Sequence, residues 1–191
     1  MAKQEKQMKL KVGDSAKNFS VLDYEGKQIR SEDYLGKSLY LAFFRNVECA
    51  LCNLRIQQLL AAYPEFQKNG IEILAVFESS ASQIADMEGI DGLPFRIIAD
   101  KENKLYNLYG VQSSWLGVIK TMATGKREID EAKSLGFEMR KVPGMKMDRM
   151  PAEFLIGPNG KVQISKYSSK VTDHIPIHQL FQFAPRVLVT T

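Results

Sequence analysis

Two stretches, SLYLAFF (residues 38–44) and IEILAVF (residues 71–77), are almost unbroken apolar runs. A strand with water on one face alternates apolar and polar residues, so a run without alternation is expected where both faces are covered. Between them, Ile56, Leu59, Leu60, Tyr63 and Phe66 recur at spacings of three and four, which is one face of a helix, and Pro64 forces a kink or an early stop. Two buried strands joined by a helix imply parallel pairing with a crossover on one face of the sheet.

The rest of the chain extends this pattern. Residues 17–29, KNFSVLDYEGKQI, read as two short strands around a Glu25-Gly26 turn, and SEDYLG as one helical turn with Ser31 as its N-cap. SSASQIADMEGI reads as a helix, GLPFRIIAD carries a strand, and NKLYNLYGV is a helix stopped at Gly110. EFLIG and KVQISKY, joined by Pro158-Asn159-Gly160, form a hairpin, and a last helix starts after Thr172-Asp173 and ends before Pro185. The expected fold is α/β: a mixed central sheet flanked by helices, with an antiparallel edge, in the arrangement of thioredoxin.

At 191 residues and 45% hydrophobic, without a linker or repeat, the chain reads as a single domain over residues 1–191. The formal charge is +4, and Lys3, Lys6, Lys9 and Lys11 mark residues 1–11 as a solvated basic arm. Acids and bases interleave elsewhere, so no nucleic acid is expected as a partner. The longest uncharged run, residues 105–119, is too short and polar for membrane insertion, and the N-terminal lysines have no apolar stretch behind them. The expectation is a cytoplasmic protein.

Both cysteines of the chain, Cys49 and Cys52, fall where the first apolar run hands over to the helix. Unpaired N–H groups at a helix N-terminus stabilise a thiolate, drawing its pKa below the free value of about 8.5. Cys49 is therefore the expected nucleophile, at the open and wetter end. Cys52, one turn further in against the sheet, is the expected resolver. Arg45 would lower the pKa of Cys49 if it folds over the loop, and Glu48 would raise it. The alternatives are inert core cysteines or half of a zinc site. The only histidines, His174 and His178, lie too far along and straddle Pro176, so no metal is assigned; Asp173 and His174 read as helix-capping residues. No cofactor is expected.

KVGDSAKNFSVLDYEGKQIRSEDYLGKSLYLAFFR, GIEILAVFESS and LPFRIIADKENKLYNLYGV resemble the corresponding segments of the alkyl hydroperoxide reductase/thiol-specific antioxidant family, the peroxiredoxins. That family places a Pro seven residues and a Thr or Ser three residues before its peroxide-reacting cysteine. Counting back from Cys49 gives Ala42 and Asn46; from Cys52, Arg45 and Cys49 itself. Where the family has a later arginine, this chain has Pro151, and Pro151-Ala152-Glu153-Phe154 resembles the cis-proline strand entry of thioredoxins. The resemblance implies a cis Met150–Pro151 bond beside the CxxC, with Met150 and Pro151 offering backbone to a substrate. The chain is similar to the peroxiredoxin-like branch with an R-x-x-x-C-x-x-C loop.

Residues 112–150 are a helical insertion before that strand, with SSWLGVIKTMATG and KREIDEAKSLG as its helices. Its methionines (Met122, Met139, Met145, Met147, Met150) fill core gaps, form an adaptable apolar surface over the CxxC that binds a partner or hydrophobic substrate, or bind copper through thioether sulfur. Three functions follow. The first is a thiol-disulfide oxidoreductase acting on protein or low-molecular-weight thiols and disulfides, recycled by an external thiol reductant. The second is a thiol-dependent peroxidase with Cys49 peroxidatic and Cys52 resolving. The third is a redox-sensing or metal-handling module. The missing Pro and Thr favour the first. Oligomeric state is open, a homodimer included.

Overall fold

The computed structural model describes residues 9–87, 89–140, 142 and 145–183. Its centre is a five-stranded sheet of order β5-β4-β3-β6-β7, made of β3 (Ser38–Phe43), β4 (Ile71–Phe77), β5 (Arg96–Ala99), β6 (Ala152–Ile156) and β7 (Val162–Tyr167). β3, β4 and β5 are parallel, β6 runs antiparallel to β3, and β7 antiparallel to β6. The hairpin β1 (Ser20–Leu22) and β2 (Gln28–Arg30) stands apart as a two-stranded sheet.

Period-two alternation sorts the buried strands onto two cores. Tyr40, Ala42, Ile73, Ala75 and Phe77 face a cluster that includes Cys49, Cys52, Leu59, Phe66 and Leu180. Leu39, Leu41, Phe43, Leu74 and Val76 face the other, with Phe19, Ile29, Leu105, Tyr106 and Tyr109. Helix α1 (Ala50–Ala61) crosses the first face and is followed by α2 (Tyr63–Lys68). Pro64 has no N–H to give to the preceding turn, so the expected kink is a break between two helices.

Helices α3 (Ala81–Ala85) and α4 (Lys104–Leu108) are single turns, and α7 (Ile177–Phe181) closes the described chain. The insertion contains α5 (Trp115–Thr124) and α6 (Lys126–Ser134). Its two ends meet: Ser113 bridges Arg149, Ser114 N–H donates to Asp148 O at 2.6 Å, and Met150 N–H to Gln112 O at 3.0 Å. Among the described residues no helix is long and apolar enough to cross a membrane.

Several expectations are corrected. No described peptide bond is cis, so Met150–Pro151 is trans. Pairing of Arg149 and Met150 with residues 112–113 holds the chain extended into β6, where the commoner isomer serves. Residues 1–8 of the basic arm lie outside the described residues. Lys9 sits over the Tyr167 ring at 4.8 Å, and Leu10 is buried with its N–H on Tyr167 Oη at 2.8 Å, so the described end of the arm is anchored at Leu10 while Lys9 and Lys11 are exposed. Ser31 is not an N-cap: its Oγ accepts from Phe19 N–H, and Arg30 occupies the cap position. Asp173 and His174 do not cap α7, which Pro176 precedes.

Candidate active site: the Cys49–Cys52 loop

Chain direction places the two cysteines. β3 ends at Phe43, residues 44–48 turn, and Cys49 takes the N-cap position of α1 with φ −84° and ψ 109°. The N–H groups of Cys52 and Asn53 donate to Cys49 O at 2.9 and 3.1 Å, which closes the first turn. Cys52 follows inside the helix, and Arg45 N–H donates to its Sγ at 3.5 Å, tying it to the end of β3.

The two thiols are electrostatically unequal. Cys49 is drawn down to about 6. The Cys52 thiol, hydrogen-bonded to it, lowers it most; burial opposes; the Arg45 charge and the N–H groups of Cys52 and Leu51 add to the lowering. Cys52 is pushed well above its ordinary value, first by burial, then by its hydrogen bond to Cys49 and by the negative charge that Cys49 acquires. Arg45 folds over the loop, and its Nη1 lies 3.6 Å from Cys49 Sγ.

Burial departs from expectation. Cys49 is 0% exposed and Cys52 1%, so Cys49 is not the open end of the pair. Arg45 is also buried, and its Nη2–H donates to the carbonyl of Met147, in the insertion's returning limb. Glu48 faces away from the sulfur chemistry. Its Oε1 accepts from Gln83 Nε2 at 2.8 Å and its carbonyl from Arg140 N–H at 3.2 Å. Met150 is buried and its N–H is taken by Gln112 O, while Pro151 O accepts from Ser168 N–H at 3.0 Å. Those two main-chain groups, expected to be offered to a substrate, are already paired.

A groove of about 670 Å³ opens beside the loop, lined by Arg45, Leu51, Val118, Met122, Phe137 and Met147 among others. A second, more polar groove of about 620 Å³ lies past Glu48 and Asn53. Phe137 and Glu138 border both. Of the insertion's methionines only Met150 is buried; Met122 and Met139 are exposed, as are Trp115, Leu116 and Ile119 on α5. The insertion thus does both: Met150 and Ala132 join the first core, while α5 and Met139 present apolar surface.

Several charged residues near the site escaped the sequence reading. Glu78, directly after β4, pairs with Arg149 at 2.8 Å. Glu153 of β6, 1% exposed, lies 2.7 Å from His174 Nδ1 and 3.5 Å from Arg55 Nη2, and accepts from Ile175 N–H at 2.5 Å. A charge at the end of an almost unbroken apolar run was the available signal for Glu78. A lone Glu inside AEFLI was the signal for Glu153.

The AhpC/TSA family model matches residues 12–165. The chain belongs to the AhpC/TSA family. The thiol-disulfide oxidoreductase ResA of Bacillus thuringiensis (strain Al Hakam) is 33% identical over 105 residues, which are 54% of this chain and 60% of that one. The chain therefore spans about 60% of the length of that curated relative. Among solved structures, a thiol:disulfide interchange protein DsbE from Chlorobium tepidum is similar with TM-score 0.60 and 20% identity, over 92% of this chain and 98% of that one. Peroxidoxin BcpB from Mycobacterium tuberculosis is similar with TM-score 0.65 and 15% identity, over 91% and 95%. These two likenesses establish the thioredoxin-like fold.

Proposed function

We propose that this AhpC/TSA-family chain is a thiol-disulfide oxidoreductase in which Cys49 attacks and Cys52 resolves. The observation that carries the reading is the unequal placement of the pair: Cys49 stands at the helix N-cap with Arg45 Nη1 3.6 Å from its sulfur, which lowers its pKa, while Cys52 lies inside the helix, where burial raises its own. The Cys49 thiolate attacks one sulfur of a substrate disulfide, and the other sulfur leaves as a thiolate. Cys52 then gives up its proton and attacks Cys49 Sγ, releasing the second substrate thiolate. The substrate gains two electrons and the chain keeps a Cys49–Cys52 disulfide, which an external thiol reductant reopens. The similarity to ResA supports this chemistry. The exposed apolar side chains of α5 beside the groove favour a protein disulfide over a small hydrophilic one. Because Cys49 is buried, a substrate sulfur meets it only after neighbouring side chains shift.

Family membership favours a second reading, with the same residues. Cys49 would attack a hydroperoxide, releasing an alcohol or water and becoming a sulfenic acid, and Cys52 would displace water from it. Against this, Ala42, a buried mid-strand residue paired with Ala75, stands where the family has its Pro, and buried Asn46 stands where it has the Thr or Ser hydroxyl.

Stopped-flow oxidation of the reduced chain by a peptide disulfide, hydrogen peroxide and an organic hydroperoxide decides between them. The expected order is disulfide fastest, by about tenfold or more, since each 1.4 kcal/mol of barrier is tenfold in rate. A faster hydroperoxide reaction makes the chain a peroxidase.

A further inference from the structure

The insertion reaches the guanidinium of Arg45 in the CxxC loop through a main-chain carbonyl, that of Met147. Arg45 carries its donors in a rigid planar fork, so seating one N–H fixes where another points. Here Nη2–H sits on Met147 O and Nη1–H points at Cys49 Sγ. The limb that carries Met147 is itself held on both sides by one carboxylate. Lys146 Nζ lies 3.2 Å from Glu78 Oε1, and Arg149 donates from Nε to Oε2 at 2.8 Å and from Nη2 to Oε1 at 3.1 Å. Arg149 is fixed further by Val111 O at 3.1 Å and Asn103 Oδ1 at 2.7 Å, with its guanidinium 4.9 Å from the Tyr106 ring centre. Glu78 also touches the loop directly, its N–H donating to Arg45 O at 2.7 Å.

We propose that Glu78 is a positioning residue of the redox site: by clamping Lys146 and Arg149 it holds the Met147 carbonyl where that carbonyl aims Arg45 at Cys49. The proposal rests on the reading of Cys49 as the attacking thiolate and gives the insertion a task in it. Burial works against the Glu78 charge, but hydrogen bonding and attraction from Arg149, with help from Asn103 and Lys146, hold its carboxyl below the usual range. The clamp is therefore charged at neutral pH.

The sign of the effect separates a clamp from simple proximity. A carboxylate acting through space raises a neighbouring thiol pKa, so its neutralisation would lower the Cys49 midpoint. Release of a clamp turns Arg45 away and raises that midpoint. The experiment is alkylation of Cys49 by iodoacetamide against pH in the whole chain, with the modified peptide identified by mass. Arg45→Met sets the largest shift that Arg45 can account for. Glu78→Gln is expected to move the midpoint up, cutting the alkylation rate near pH 6 about twofold, as half a pKa unit does at a midpoint of about 6, with no difference by pH 9. Arg149→Lys keeps the charge but loses the fork, and moves the midpoint the same way; it serves if Glu78→Gln fails to fold. A midpoint in either folded variant that is unchanged or lowered overturns the clamp. If Arg45→Met shifts the midpoint and neither of the other variants does, the clamp alone fails. If Arg45→Met has no effect, the tuning role of Arg45 falls and the proposal with it.

Discussion

Cys49 is governed more by its partner thiol than by the nearby cation. The Cys52 hydrogen bond is the largest influence lowering it, ahead of Arg45, and it acts against complete burial. Two substitutions at one position should therefore diverge. Cys52→Ser keeps a hydroxyl that can donate to the Cys49 sulfur, so the midpoint stays low and a mixed disulfide with the substrate accumulates because nothing resolves it. Cys52→Ala removes the donor, and the Cys49 midpoint should climb from about 6 toward the free value of about 8.5. Alkylation against pH, with mass detection of the trapped adduct, checks both. Equal midpoints in the two variants would show that the Cys52 thiol does not set the Cys49 pKa. Cys49→Ser should be inert to disulfides at neutral pH, since Cys52 is raised.

Among the elements, α5 is set down by Thr121 Oγ1, which accepts from Val171 N–H at 2.7 Å, and by a close approach at Gly117. Ser114 Oγ caps it by accepting from Gly117 N–H at 3.1 Å, and the bare Cα of Gly117 faces the residue that leads into β6. A Cβ there would stand 2.4 Å from Met150 Sδ and 3.0 Å from Ser169 O. The methionine can give way but the carbonyl cannot do so without backbone movement. Gly117→Ala should therefore destabilise, by about 1–3 kcal/mol as an overpacked contact, despite the higher helix propensity of alanine. Ser114→Ala should cost about 1 kcal/mol through the lost cap. Urea denaturation midpoints measure both. A stabilised Gly117→Ala would mean that α5 is not held against Met150.

Across the whole molecule, the first core is tied by a buried ionic cluster rather than by apolar contact alone. Glu153 on β6 meets Arg55 on α1, His174 in the loop before α7, and Ile175 N–H. Arg55 also reaches Tyr40 Oη on β3 at 3.1 Å and Ile175 O at 2.7 Å. Burial opposes the Glu153 charge, but His174 first and then Arg55 hold it down to about 2, from an ordinary 4.5. A depressed carboxyl contributes stability that is present above its unfolded pKa and lost as pH falls through the folded one. The fold should therefore weaken between about pH 4.5 and about pH 2, by on the order of 3 kcal/mol. Glu153→Gln should be less stable at neutral pH, because it leaves Arg55 buried without its counter-charge, and should lose much of that acid dependence. Parallel acid profiles for parent and variant would remove Glu153 as the cause.

The sequence by itself determined the elements and their order. Unbroken apolar runs place β3 and β4 inside, helical spacing places α1 across one face, and Pro158-Asn159-Gly160 closes the β6–β7 hairpin. These features depend on neighbours along the chain, where periodicity and turn chemistry act. Cys49 and Cys52 at a helix start, with Arg45 four residues back, were legible for the same reason. Only the tertiary structure decided how the pair is enclosed. The Met147 carbonyl on Arg45, the Glu78–Arg149 pair and the Glu153–Arg55 pair join residues 71 to 102 positions apart, and no local pattern encodes such pairings. The same holds for burial of Cys49 and the trans Met150–Pro151 bond. The two ends of the insertion pair with each other and its returning limb meets Arg45, an outcome of packing between distant segments rather than of the residues at either place.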